Sequence, residues 1–305
     1  MAILAADPIK GLLRNGRDGG VASALGYLLS RRVRSFLPGL MLRVPGEDAE
    51  VHVLTGRARL TMALWMIASW TTATGRRWRF VIHDDGTLRG DDARAIRTLV
   101  PGSRVLLSAE STRDVSRYLA SYPLCLQCRN LHPLCRKIFD IPLFASSDRF
   151  LAVDTDILFF RSPDRLERWF SKGQPGCIFL EDVRNVALLK RADVQKLLGV
   201  QLIERVNTGI LAVSKAALCF DRLESLFLST DLLKRDRWYI EQTLFALMAS
   251  IFGRVELLPP RTYVMSVEGR CPKDAIARHY VGAVRHLFYS EGLPKVIPLL
   301  RRAGR

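Results

Sequence analysis

The stretch FLAVDTDILFF at residues 150–160 sets two carboxylates, Asp154 and Asp156, inside an otherwise apolar run. A run of this composition reads as a buried strand, whose interior has no use for acid groups unless something compensates their charge. Side chains at i and i+2 of an extended chain point to the same side. Where the strand ends, the two acids can therefore converge on one hard cation. The alternative is a strand-end turn whose acids cap nearby backbone amides.

The surroundings of this run follow a regular alternation. Residues 51–56 predict a short strand running into a small-residue turn, Thr55-Gly56, and LTMALWMIASWTTATG behind it has helical apolar spacing up to Gly75. A second strand at 78–83 leads into Asp84-Asp85-Gly86, then a polar helical stretch stopped by Pro101-Gly102, and 104–108 reads as a third strand. Further strands are expected at 178–180, ending in Glu181-Asp182, at 206–213 and at 254–258, with a helix over 238–251 that carries Glu241-Gln242. Strand–helix alternation implies an α/β fold with a mostly parallel central sheet flanked by helices. Ligands bind such sheets at the carboxyl ends of the strands. Thr55-Gly56, Asp84-Asp85 and Asp154-Thr155-Asp156 all occupy that kind of position.

With 305 residues, 49% hydrophobic and 25% charged, the chain has ample core. No run of about eighteen uncharged apolar residues appears, so no spanning helix is expected. The first twenty residues lack the layout of a signal peptide, and six cysteines are compatible with a reduced compartment, so a cytoplasmic location is expected. The net charge of +16 points to a polyanion as partner, whether nucleic acid, an anionic membrane surface or a phosphorylated substrate, or to compositional bias alone. Arginine clusters lie at Arg31-Arg32-Arg34, Arg76-Arg77-Arg79 and Arg301-Arg302-Arg305, with no basic tail or aromatic-interleaved signature, so no nucleic-acid partner is expected. Residues 1–48 read as an N-terminal helical extension and 49–305 as the main domain. Within the extension, 24–44 places Leu25, Leu28, Leu29 and Phe36 among arginines, as a helix lying on a membrane interface would, or one packed on the main domain; Pro38-Gly39 is expected to end it. Cys125, Cys128, His132 and Cys135 are numerous enough for a tetrahedral zinc site, but the intervening leucines also let the thiols pack as small hydrophobes.

Five segments in order, HVLTG at 52–56, VDTDILF at 153–159, VNTGILAV at 206–213, EQTLF at 241–245 and HYVGAVR at 279–285, make the chain resemble the GT-A (Rossmann-like) glycosyltransferases. Within them it is most similar to the glycogenin and galactosyltransferase-like family eight. That resemblance implies a nucleotide-sugar donor, UDP-linked by likeness, an unknown hydroxyl acceptor with a membrane-held one among the options, and Mn²⁺ or Mg²⁺ held by Asp154, Asp156 and His279. It places Asn207, Thr208 and Gly209 on the sugar and acceptor floor, Glu241 and Gln242 near the reacting carbon, and Gly282 and Arg285 at the phosphates, with Thr155 also among the substrate-binding residues. The family usually carries lysine at the last position, so Arg285 departs from it. A mixed carboxylate and imidazole set suits manganese better than zinc.

The segment His83-Asp84-Asp85-Gly86-Thr87 is similar instead to the inverting family two, where the acid contacts the nucleotide base. Inversion requires a carboxylate base, for which Glu181, Asp182 and Glu241 are candidates, whereas retention does not. The metal pair and HYVGAVR favour retention. Two other classes compete: a sugar nucleotidyltransferase, for which the loop 55–59 is a poor version of the Gly-rich phosphate loop, and a non-catalytic nucleic-acid-binding protein indifferent to manganese.

Overall fold

The β-branched and aromatic runs become ten strands in the computed structural model, which describes residues 8–43, 46–173 and 175–303. They are β1 (Gly46–Thr55), β2 (Arg77–Asp84), β3 (Arg104–Leu106), β4 (Arg149–Val153), β5 (Ile157–Phe159), β6 (Cys177–Glu181), β7 (Val206–Ser214), β8 (Val255–Leu257), β9 (Tyr263–Val264) and β10 (Ala277–His279). Seven of them form the central sheet in the order β3-β2-β1-β4-β7-β6-β8. The expected mostly parallel sheet is present, with one reversal: β7 runs antiparallel to both of its neighbours, β4 and β6. A second, small sheet, β5-β10-β9, continues from the far side of the acid pair.

Helices cover both faces, and the strands alternate between two cores. Leu151 and Val153 of β4 join the cluster that contains Trp65, Trp70 and Leu158, while Phe150 and Ala152 join the one with Phe179, Leu244 and Phe245. This is the period-2 alternation of a sheet buried on both sides. The first cluster is built on helix α3 (Leu60–Thr74), which ends where Gly75 takes a left-handed conformation (φ 64°). The second is built on the helix Arg237–Phe252.

The N-terminal segment differs from expectation. Instead of one helix ended by Pro38-Gly39, two helices form, α1 (Pro8–Ser30), interrupted at Gly19-Gly20, and α2 (Val33–Arg43), with Pro38 in its interior. Proline inside a helix costs about 3 kcal/mol. Here Leu37, Leu40 and Met41 are buried in the core with Trp65, and burying each side chain returns about 1.5–3 kcal/mol. Strand β1 also starts earlier than Val51, at Gly46. The first seven residues and Arg305 lie outside the described residues, and with them the part of the leader reading and of the last arginine cluster that they carry. Among the described residues no helix is long and apolar enough to cross a membrane.

Between β1 and β2, His52 Nδ1 and His83 Nε2 share a buried hydrogen bond of 2.9 Å. Burial pushes both imidazoles below their usual range, with the neighbouring Glu50 too weak a counterweight. Glu50 itself is pushed up by burial, but the His52 imidazole 3.7 Å away and the hydrogen bond from Ser146 N outweigh this and hold it at about 2. The unfolded chain therefore takes up protons that the folded histidines refuse as pH falls below about 6.5, and stability is lost from there downward. Glu50 adds a separate loss below its unfolded value of 4.5. Urea titrations across pH 8 to 5 should show this decline in the native chain, and His83→Leu should cost about 1–3 kcal/mol at pH 8 by orphaning His52. A flat profile between pH 7 and 5 contradicts the neutral pair.

Candidate functional site

Strand β4 ends at Val153, and the chain turns through Asp154-Thr155-Asp156 before β5 begins. The backbone of this turn is fixed on both sides. Asp154 N–H donates to Gly209 O (2.7 Å) on the reversed strand β7, and Tyr280 N–H donates to Asp156 O (2.8 Å). Because β10 pairs antiparallel with β5, His279 sits opposite Ile157, beside the acids. Its Nε2 lies 3.2 Å from Asp156 Oδ1 and 4.0 Å from Asp154 Oδ2. One ligand atom from each of the three residues falls within 4.8 Å of the others, the single such grouping among the described residues.

The imidazole is oriented from behind. His279 Nδ1 lies 3.2 Å from Asn207 Oδ1, which leaves Nε2 free to face the acids when Nδ1 carries the proton. Asn207 is held in turn: its Nδ2 donates to Asp182 Oδ2 (2.9 Å), and its Oδ1 also accepts from Gly209 N (3.0 Å). Gly209 has no side chain for a steric reason, since a Cβ there would stand 2.5 Å from His279 Nδ1 and Cε1.

Lys137, which sequence reasoning missed, is a buried cation of the site. It lies on the helix Arg136–Phe144 and is almost fully buried, with Nζ 2.7 Å from Asp154 Oδ1, 3.8 Å from Glu241 Oε1 and donating to Thr208 O at 3.1 Å. Burial alone pulls its ammonium pKa down, and the charges of Asp154 and Glu241 more than reverse this. Glu241 is pushed up to about 7, first by burial and then by Asp154, against the opposing pull of Lys137 and of the Thr208 hydroxyl, which donates to it at 2.9 Å. Asp156 goes the other way. Burial raises its carboxyl, but His279 and the forked contact from Arg285 Nε and Nη2 (3.2 and 3.0 Å) hold it below the usual range.

These groups line a cleft of about 960 Å³ at the carboxyl ends of β1 and β4. Thr55, Gly56, Asp85, Thr155, Asp182, Asn207, Thr208, Gly209, Glu241, Gln242, Gly282 and Arg285 all reach its wall with the acid pair and His279. Asp84 is not among the wall residues. Its Oδ1 accepts from the amides of Gly86, Thr87 and Leu88 and its Oδ2 from Ser108 N, so its binding capacity is spent on folding the loop. Glu181 is likewise absent from the wall and is paired with Arg205. The cleft adds Arg59, Arg184, Trp238 and Tyr239, for which the sequence carries no local signal. The cysteine cluster comes apart: Cys125, Cys128 and Cys135 are buried in the second core, while His132 turns to the cleft and packs against Trp238 with ring centroids 4.5 Å apart. Buried Glu241 Oε1 and Gln242 Nε2 have no hydrogen-bond partner and belong to residues of the cleft wall, as groups awaiting a polar ligand would.

Gly209→Ala should force the imidazole or β7 to shift, with a stability cost of about 1–3 kcal/mol. An unchanged denaturation midpoint together with an unchanged His279 ring resonance contradicts this geometry.

No family model and no curated protein matches this chain. Solved structures do. The galactosyltransferase LgtC, in complex with donor and acceptor sugar analogs, aligns with 83% of this chain and 95% of its own at 16% identity and a TM-score of 0.51. Mouse xyloside xylosyltransferase 1 aligns with 76% of this chain and 97% of its own (12% identity, TM-score 0.47). Core-mannan synthase A from Aspergillus fumigatus, in its Mn/GDP form, aligns with 79% and 84% (10% identity, TM-score 0.46). At these identities the likeness, carried by LgtC, is one of fold, and the fold of this chain is that of the GT-A glycosyltransferases.

Proposed function

We propose that this chain is a metal-dependent glycosyltransferase that moves a sugar from a nucleotide diphosphate donor, UDP-linked in the first instance, to a hydroxyl acceptor. The observation that carries the reading is the convergence of Asp154, Asp156 and His279 at the carboxyl end of the sheet, inside a cleft large enough for such a donor. Two carboxylates and an imidazole with its far nitrogen at a carbonyl oxygen make a donor set suited to Mn²⁺ or Mg²⁺. A cation bound there would offset the charge that builds on the departing diphosphate.

The remaining residues then take roles that follow from their positions. Arg285, with Gly282 beside it at a positive φ of 57°, stands where phosphate oxygens would lie, and its fork of donors suits them. Arg59 adds a second guanidinium on the same side, close enough to feel Arg285 and Asp156. Asn207-Thr208-Gly209 forms a floor against which a sugar would rest, with Gln242 able to present its unpartnered amide to it. The cluster HYVGAVR and the acid pair favour a family-eight-like enzyme that retains configuration. One observation favours the inverting reading: Glu241, poised at about 7 with no hydrogen bond at Oε1, has the pKa that a general base needs, and Asp182 is a second carboxylate on the wall. The described helices α1 and α2 then form most of an extension, residues 1–48, on a catalytic domain of 49–305. A cytoplasmic enzyme at the inner face of the membrane fits the basic surface.

Hydrolysis of nucleotide sugars assayed with Mn²⁺ should be abolished by excess chelator and fall at least about a hundredfold in Asp154→Asn. Asn207→Leu should weaken Mn²⁺ binding by about 10–100-fold, read by calorimetry, because the imidazole loses its orienting partner. Full activity in Asp154→Asn rules out the mechanism. The anomeric configuration of the product separates retention from inversion.

A further inference from the structure

We propose that the outer face of α1 is a docking surface for an anionic phospholipid bilayer. In the half of α1 after Gly20, Ser23, Gly26 and Ser30 turn inward: Ser23 Oγ donates to His286 O at 3.1 Å, and a Cβ on Gly26 would collide with the backbone of Tyr289. The opposite face carries Val21, Leu25, Leu28 and Leu29, which are 76%, 55%, 44% and 44% exposed. Their spacing of i, i+4, i+7 and i+8 draws one apolar stripe along the helix. Phe36, which the sequence grouped with these leucines, packs instead beside Trp65. The stripe is thus left outside by the same packing that buries α2.

Charge decides what covers it. Between residues 8 and 43 Asp18 is the sole acid, and it is taken up by Arg14 and Arg17 before the Gly19-Gly20 break, whereas Arg31 and Arg32 are exposed just past the end of the stripe. A second copy of this chain would bring like charge to like charge, and a protein core offers no anions to this rim. A bilayer with anionic headgroups offers both an apolar layer for the leucines and negative charge for the arginines, which is the balance of an interfacial helix. No described helix crosses a membrane, so the association would be peripheral. The helix also borders the cleft, because His286, to which Ser23 donates, directly follows Arg285 of the cleft wall. Docking through α1 would therefore bring the cleft mouth close to the bilayer surface, although the docking itself does not rest on the transferase reading.

Vesicles of phosphatidylcholine with and without phosphatidylglycerol, sedimented with the full chain at low and high salt, test the proposal. Binding should require phosphatidylglycerol, weaken with salt and fall by at least about tenfold both in Leu25→Asp/Leu28→Asp and in Arg31→Glu/Arg32→Glu. All four side chains are exposed, so both variants should keep the native thermal midpoint. Sedimentation velocity without lipid should give the same species for native and variant chains. No vesicle binding, equal binding to pure phosphatidylcholine, binding that survives the leucine variant, or a self-association abolished by that variant overturns the proposal.

Discussion

Three carboxylates at the end of an apolar sheet must be neutralised from within the protein, and Lys137 is the group that makes this possible. Asp156 and Glu241 are buried and Asp154 is half-buried, and an uncompensated buried charge costs several kcal/mol. The Lys137 ammonium touches Asp154 and approaches Glu241, while His279 and Arg285 serve Asp156. The position of the ammonium is set by packing. Its helix is seated by Ile138, Phe139 and Ile141, all buried in the second core. The cleft therefore keeps its acids because the hydrophobic core holds a cation against them.

The reversal of β7 has a matching consequence. In an all-parallel sheet the first residues of each strand lie at the edge opposite the ligand. Because β7 runs against β4, with Val153 opposite Ile210, its opening residues Asn207-Thr208-Gly209 lie beside the end of β4. The same reversal lets Gly209 O fix the Asp154 amide and Asn207 fix the imidazole. The small sheet supplies the rest, since β10 returns along β5 and delivers His279 from more than a hundred residues downstream.

Much of this was legible in the sequence, for a physical reason. Strand positions and the carboxyl-end placement of the acids follow from local apolar periodicity, which the structure preserves through β1, β2, β4, β6 and β7. The direction of β7 was not legible, because an all-buried strand has the same composition whichever way it runs. Asp84 was ambiguous for a related reason. An acid at a strand end serves equally well as a ligand or as a cap for the next loop, and only the amides of Gly86, Thr87, Leu88 and Ser108 decide which. Lys137 gave no signal, since a single lysine in a helix reads as surface until the fold turns it inward. Pro38-Gly39 shows the converse, a strong local stop signal overruled by the burial of Leu37, Leu40 and Met41.

The excess of positive charge can be sorted by the same reasoning. Arg129 grips Asp140 with two bonds of 3.0 and 2.7 Å, and Arg278, fully buried, donates to Glu291 at 2.9 Å. These pairs are structural and close to neutral, so they account for none of the +16. The uncompensated charge must lie outside the core, where Arg31, Arg32, Arg301 and Arg302 are exposed. The first two directly follow α1 and the last two lie in the last turn of the helix Leu293–Ala303, and both helices pack against the short segment Phe288–Gly292. Surface charges act together only within a Debye length, about 8–10 Å at physiological salt. Each adjacent arginine pair falls within that range, and both stand at or just past the ends of helices seated on the segment that follows Arg285 of the cleft wall in the chain.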